Sequence, residues 1–334
     1  RNPELYNRLL QVFKAHDIGY FFYNGGGDSQ DTSDKVAKFS AEKNFPLTCI
    51  GIPKTVDNDL PITDCSPGFG SVAKYVAISV LEASLDVAAM AKSSTKVFVM
   101  EVMGRHAGWI AAAGALAART ADDAPHLILF PERPFDRETF LDKVKTCVKT
   151  NGFCSIVVSE GIKGPEGNFL SDKGSKDAFG HSQLGGVAPF IAETIRSETG
   201  FKYHWAVADY LQRSARHIAS ETDVRQAYAV GSAAVDLAIQ GENAVMPIIV
   251  RIADSPYDWK VEKTELAKVA NIEKKLPDSF ISCDGYGITR QCRNYLQPLI
   301  EGEDYPPYSN GIPNYVILRN EPVARKLNDR FAIG

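Results

Sequence analysis

The sequence predicts an α/β protein built from two doubly wound, Rossmann-like domains with mainly parallel sheets. Three observations carry that expectation. Short continuous apolar runs alternate with helical patterns, as strands buried on both faces of a parallel sheet require. The loops richest in Gly, Asp and Arg all follow such runs, where open α/β sheets bind their ligands. At 334 residues the chain exceeds the length at which one core stops growing, roughly 250–300 residues, so two domains are expected.

The elements follow in order. The chain opens on a helical pattern at Arg1 rather than on Met, so a preceding N-terminal segment, with one more strand, is expected. Ile18–Tyr23 reads as the first strand, ending at Gly25-Gly26-Gly27, with a helix from about Asp31 to Lys43. Leu47–Ile52 is strand-like and stops at Pro53. From Gly70 to Ala91 apolar positions recur every three or four residues, the period of a helix. Lys96–Val102, His126–Phe130, Phe153–Ser159 and Ala244–Val250 read as buried strands, the last after a helix over Val224–Gln240. Beyond Asp304 the tail is rich in Pro and Gly and is expected to wrap the surface.

Composition narrows the function classes. A formal charge of −4 argues against nucleic acid or an anionic membrane as partner. No apolar run reaches the ~20 residues of a membrane span. The six cysteines show no CxxC pair, so free thiols in a reducing cytoplasm are expected.

Five loops carry candidate chemistry. Asn24-Gly25-Gly26-Gly27-Asp28-Ser29 lets the backbone approach an anion ahead of a helix N-terminus. It reads equally as a tight turn with Asp28 or Ser29 as helix cap. Pro53-Lys54-Thr55-Val56-Asp57-Asn58-Asp59 places a cation, a hydroxyl and two carboxylates together. Phosphoryl transfer to an alcohol needs a proton acceptor, positive charge on the moving group and a magnesium ligand. Asp57, Lys54 and Asp59 suit those roles in that order, although Asp-Asn-Asp is also ordinary turn chemistry. Met103-Gly104-Arg105-His106 offers close approach and a planar phosphate fork, with His106 a positioning or core residue. Glu160, in Ser159-Glu160-Gly161, suits sugar hydroxyls. Tyr210 and Arg213, three apart, share one face if their segment is helical.

In this order and together, these motifs resemble the phosphofructokinase family, and most closely its pyrophosphate-dependent branch. The resemblance implies that Asp57 is the base on the 1-hydroxyl of fructose 6-phosphate and that Thr55 contacts the transferring group or the sugar. It implies Met103, Gly104, Arg105 and Glu160 around the sugar phosphate, and Tyr210 and Arg213 on the 6-phosphate. Lys96 stands where relatives carry an arginine lent to a neighbouring subunit. Gly25, Gly26, Gly27, Asp28 and Lys54 would face the donor. Gly27 replaces the family's usual Mg²⁺ ligand, so either Asp28 ligates the metal or Mg²⁺ arrives mainly as the Mg–pyrophosphate complex, with Asp59 supporting the metal site or holding the loop.

ATP-using relatives resemble Gly-Gly-Asp-Gly-Ser and Pro-Gly-Thr-Ile-Asp-Asn-Asp. Asp28 and Lys54 depart from both patterns, repelling a nucleotide α-phosphate and attracting pyrophosphate. A reversible pyrophosphate-dependent 6-phosphofructokinase in a homodimer or homotetramer is therefore expected. ATP as donor, sedoheptulose 7-phosphate as acceptor, and a catalytically silent regulatory subunit remain alternatives. The expected domains are 1–70 plus 214–300 for the donor and 71–213 for the sugar phosphate, with 301–334 as tail.

Overall fold

The computed structural model describes residues 3–120, 122–171, 186–328 and 331. Two four-stranded sheets organise them. In the first, β1 (Tyr20–Gly25), β2 (Thr48–Pro53) and β7 (Val245–Asp254) are parallel neighbours, and β8 (Tyr257–Glu265) closes the edge antiparallel to β7. The second runs β4 (Leu127–Leu129), β5 (Cys154–Ser159), β3 (Val97–Val102), β6 (Tyr203–Val207), all parallel.

Alternation along the strands shows how each sheet is covered. In β2, Cys49 packs with Val36 and Ala37 of α2 (Gly27–Glu42), whereas its neighbour Ile50 packs with Ala234 and Ala238 of α8 (Glu221–Ile239). Successive strand residues face opposite sides, so helices cover both faces. In β5, Val157 joins the cluster of α3 (Phe69–Met90) and α4 (Trp109–Gly114). Its neighbours Ile156 and Val158 join that of α5 (Arg137–Asn151) and α6 (Val187–Thr199). In β2 and β5, the absence of a solvent face explains the continuous apolar runs, whereas β1, at the sheet edge, leaves Tyr20 and Phe22 exposed.

The expected strands and long helices are present, with ends shifted by a few residues. Among the elements with no expectation are α5, α6, β6 and β8. Strand β8 is missed because its Tyr-Asp-Trp-Lys-Val-Glu pattern alternates on a half-exposed edge, unlike the continuous runs of the interior. The helix expected from Asp31 starts a turn earlier. Gly26 is its cap residue, without a side-chain cap bond, so neither Asp28 nor Ser29 caps it.

The long helix α3 has no cap of its own. Asp223, buried on α8, accepts from the backbone N–H of Gly68 at 2.8 Å and of Ser71 at 3.1 Å. This cap from a distant helix ties α8 to the start of α3. The tail forms a small hairpin, β9 (Tyr308–Ser309) with β10 (Ile312–Pro313), and then leaves Val316, Ile317 and Leu318 at 85%, 91% and 83% exposure. These side chains are not laid against the body.

Replacing Asp223 with Ala should strand two buried N–H groups and lower the unfolding free energy by about 1–3 kcal/mol, measured by urea titration. An unchanged midpoint would show that water replaces the cap.

Candidate active site

The first sheet delivers two loops side by side. Buried Gln30 of α2 donates from Nε2 to the carbonyls of Gly25 (2.8 Å) and Ile52 (3.2 Å), holding the carboxyl ends of β1 and β2 together. The Lys54 N–H adds a bond to the same Gly25 carbonyl at 3.1 Å. A Cβ on Gly25 would lie 2.0 Å from Ser29 Oγ, so only glycine lets this turn close.

In the second loop, Thr55 Oγ1 accepts from the Asp57 N–H at 3.2 Å. Asn58 takes a left-handed φ of 52° and is fully buried, a conformation Asn tolerates well. Its side chain turns back into the body, where Oδ1 accepts from Ser66 N–H at 3.0 Å and Nδ2 donates to Tyr295 Oη at 3.1 Å. Asp57 and Asp59, on either side of it, line the cavity.

The second sheet delivers the facing loops. Gly104 has φ 131°, and a Cβ there would lie 2.7 Å from the Ala107 carbonyl. Its N–H donates to Glu160 Oε1 at 3.3 Å, and the Met103 N–H donates to Gln212 Oε1 at 3.3 Å. A Cβ on Gly161 would meet the Arg105 carbonyl at 2.0 Å. The Met103–His106 loop thus lies directly on the Ser159–Gly161 turn.

A strap without regular structure, residues 271–276, crosses between the two sets of loops. Asn271 Nδ2 donates to Asp31 Oδ1 of α2 at 2.7 Å, and the Lys274 N–H donates to the Asp59 carbonyl at 2.6 Å. Trp109 Nε1 on α4 donates to the Lys274 carbonyl at 3.0 Å. Glu132 Oε1 accepts from the N–H groups of both Leu276 (3.1 Å) and Gly108 (2.8 Å). The Lys274 ammonium is buried behind the Asp57–Asp59 loop, donating to the carbonyls of Thr63 (3.0 Å) and Asp64 (2.8 Å) and to Asn58 Oδ1 (3.3 Å). Burial pushes its pKa down to about 8.

These walls enclose a cavity of about 790 Å³. Among the sequence-derived candidates, Gly26, Gly27, Asp28, Thr55, Asp57, Asp59, Met103, Arg105 and Glu160 line it. Gly25 and Gly104 shape its backbone. The Lys54 side chain is exposed and does not line it. Tyr210, on α7 (Asp209–Ser214), is 61% exposed, with the Arg213 guanidinium 4.0 Å from its ring centre, and neither residue lines it. Lys96 precedes β3 at the end opposite Met103, about 20 Å away along a strand of this length, and its Nζ donates to the Ala91 carbonyl.

The rest of the lining is Ser29, His106 and Ala107 of the same loops, with Asn271, Ile272, Glu273 and Lys275, which had no sequence-derived role; His106 Nδ1 sits 2.8 Å from Glu273 Oε1. The polar run Asn271–Lys275 follows no strand, so nothing local marked it.

Electrostatics single out Asp57. Burial, and then the nearby Asp59 and Glu160 carboxylates, push its pKa up to about 7 against the pull of Arg105 and Lys54. Asp59 and Glu160 are raised too, chiefly by burial. Asp59 Oδ1 is buried without a hydrogen-bond partner among the described residues. A buried oxygen among further carboxylates suits a hard divalent cation.

The phosphofructokinase family model matches residues 1–238. The chain belongs to the phosphofructokinase family. It is 62% identical over 332 residues to the pyrophosphate–fructose 6-phosphate 1-phosphotransferase of Methylococcus capsulatus, covering 99% of this chain and 79% of that one. A crystal structure of the pyrophosphate-dependent phosphofructokinase from Nitrosospira multiformis superposes with a TM-score of 0.91 at 60% identity, over 98% of this chain and 79% of that chain. The ATP-dependent 6-phosphofructokinase 3 of Streptomyces coelicolor is more distant, 30% identical over 247 residues, 73% of this chain and 66% of that one. Among the described residues of this phosphofructokinase, no helix is long and apolar enough to cross a membrane.

Two measurements check the site's physics. The raised pKa means that Asp57's contribution to stability is fully present below 3.8 and is lost as pH rises to about 7. Asp57→Asn should therefore be more stable than the parent, with a Tm difference that grows across that window and is level above it. A difference independent of pH would remove the assignment. Lys274→Met should cost roughly 2–4 kcal/mol of stability by leaving buried acceptors unmatched and should lower kcat/KM; full activity would show that the strap needs no ammonium.

Proposed function

We propose that this phosphofructokinase moves a phosphoryl group from pyrophosphate to the 1-hydroxyl of fructose 6-phosphate, giving fructose 1,6-bisphosphate and phosphate, reversibly. The observation that carries the reading is Asp57, a carboxylate raised toward neutrality in the same cavity as the Gly26–Asp28 turn and Arg105. A base whose pKa lies near the working pH is best placed to exchange a proton in both directions. The two closely similar enzymes named above are pyrophosphate-dependent, which supports the donor.

Asp57 accepts the proton of the sugar 1-hydroxyl as oxygen attacks the transferring phosphorus, and returns it in the reverse reaction. Thr55, whose hydroxyl is held by the Asp57 N–H, contacts the transferring group. The N–H groups at the start of α2 face the donor. Arg105, with the backbone of Met103 and Gly104, grips the sugar phosphate, and Glu160 accepts from sugar hydroxyls. Lys275 brings a further cation to this wall. Asp59 and Asp28 would hold Mg²⁺, which supplies positive charge to the phosphates when bound.

Asp28 sets the donor. Its carboxylate in the first turn of α2 stands where a nucleotide would need its α-phosphate, and Lys54 adds attraction from the rim. The six free cysteines fit a cytoplasmic protein. A homodimer or homotetramer fits the placement of Lys96, Tyr210 and Arg213. All three lie outside their own chain's cavity, as residues lent across a subunit boundary would.

The test compares kcat/KM for pyrophosphate and ATP with fructose 6-phosphate and Mg²⁺. Pyrophosphate should win by ~10²-fold or more, and Asp28→Gly should narrow the gap; a preference for ATP sinks the donor reading. Asp57→Asn should lower kcat ~10²–10⁴-fold. In the forward direction kcat/KM should fall below a pH of about 7, where Asp57 is protonated, and in the reverse direction it should fall above it. Activity that survives the substitution overturns the base.

A further inference from the structure

The amino end of β5 holds a cluster that the catalytic cavity does not use. Cys147 lies just before the last turn of α5, and Cys154 is the first residue of β5. Between them Gly152 ends the helix with a left-handed φ of 83°, and the reversal brings the two side chains together. Both sulfurs and a ring nitrogen of His126 lie within 4.8 Å of one another. Both cysteines are buried, at 9% and 0% exposure.

Protons decide what this cluster does. His126 Nδ1 accepts the Ser155 N–H at 3.0 Å, so a neutral ring carries its proton on Nε2. That nitrogen is buried without a hydrogen-bond partner among the described residues, on a ring that has both sulfurs within 4.8 Å of one of its nitrogens. Asn151 Nδ2 also approaches Cys147 Sγ, at 3.6 Å. Against these donors stand the Phe153 carbonyl, 3.4 Å from Cys147 Sγ, and the negative end of the α5 dipole. The donors prevail: Cys154, then His126 and Asn151, pull the Cys147 thiol down, while burial holds Cys154 up as a thiol. Cys147, the less deeply buried of the two and the one that Asn151 approaches, is set to attack, and Cys154 to resolve.

Two thiols and an imidazole also make a zinc-type donor set. Ligation through Nε2, however, requires a lone pair there, which moves the ring proton to Nδ1. That proton would then point at the Ser155 N–H, donor against donor. The hydrogen bonding favours sulfur chemistry over metal binding.

We propose that Cys147 and Cys154 form a reversible intramolecular disulfide, with a peroxide as oxidant. The Cys147 thiolate attacks a peroxide oxygen; the S–O bond forms, the O–O bond breaks and hydroxide leaves, taking up the thiol's proton as water. Cys154 sulfur then attacks the sulfenic sulfur, the S–S bond forms, and the second oxygen departs as water with the Cys154 proton. Two thiols lose two electrons and two protons, and one peroxide becomes two waters. Two equivalents of a small-molecule thiol return the pair by exchange: the first forms a mixed disulfide and frees one cysteine, the second frees the other, and the small thiols leave as their own disulfide. The bond ties α5 to the start of β5, at the far end of the strand from Glu160, so it stabilises the sheet and leaves turnover unchanged.

Cys283 provides an internal control, because it is the exposed cysteine. The folded protein is treated with hydrogen peroxide below one equivalent, alkylated, digested and mapped by mass spectrometry. The expected result is a Cys147–Cys154 cross-linked peptide, two hydrogens lighter, before Cys283 loses its free thiol. Cys154→Ser should instead accumulate a sulfenic acid on Cys147 that dimedone traps. Oxidation of Cys283 first, with Cys147 and Cys154 still alkylated after denaturation, overturns the proposal. Stoichiometric zinc on the purified protein, protecting both thiols, overturns it equally.

Discussion

The site depends on one buried ammonium. Lys274 satisfies carbonyls behind the Asp57–Asp59 loop and lies 5.3 Å from the Trp109 ring centre. Its backbone is gripped from both sides, by the Asp59 carbonyl on the first sheet's loop and by Trp109 on the second. A desolvated cation is costly unless fully paired, so the arrangement is specific: wherever the ammonium finds its acceptors, the two loop sets sit at one spacing. The strap therefore fixes the cavity's width without a regular element of its own.

The cavity's charge pattern works against the fold. Asp57, Asp59 and Glu160 share one pocket, and burial raises all three. Apolar residues there would leave a more stable protein. The same repulsion brings Asp57 to the range where a carboxylate can both accept and return a proton. Stability is carried elsewhere: by sheets covered on both faces, by Asp223 capping α3 from α8, and by the Arg251 guanidinium, which bonds Asp64 at 3.0 and 3.1 Å and faces the rings of Tyr257 and Tyr295.

Legibility followed locality. The interior strands were readable because burial on both faces leaves a continuous apolar run, whereas β8, on a half-exposed edge, left only an alternating one. The turn at Gly25 and the Asp57–Asp59 loop were readable because each combines its functional groups within a few residues. Asp28 was located, but its part in the helix was not: α2 starts at Gly27 because Gln30 draws the end of β1 against β2, a contact across strands. Lys54 was read as a cavity residue from its neighbours, yet its side chain turns to solvent.

By itself, then, the sequence determined the α/β class, the strand-end loops and the chemical inventory of the site, because each of these is written in hydrophobic period or short-range spacing. Only the tertiary structure decided which of those residues face one cavity and that the 271–276 strap forms its remaining wall. It also placed Tyr210, Arg213 and Lys96 outside that cavity, and set Cys147 beside Cys154 and His126. Those outcomes depend on how two sheets and a distant lysine pack. Packing joins residues by shape and desolvation, and neither leaves a period or a spacing in the chain.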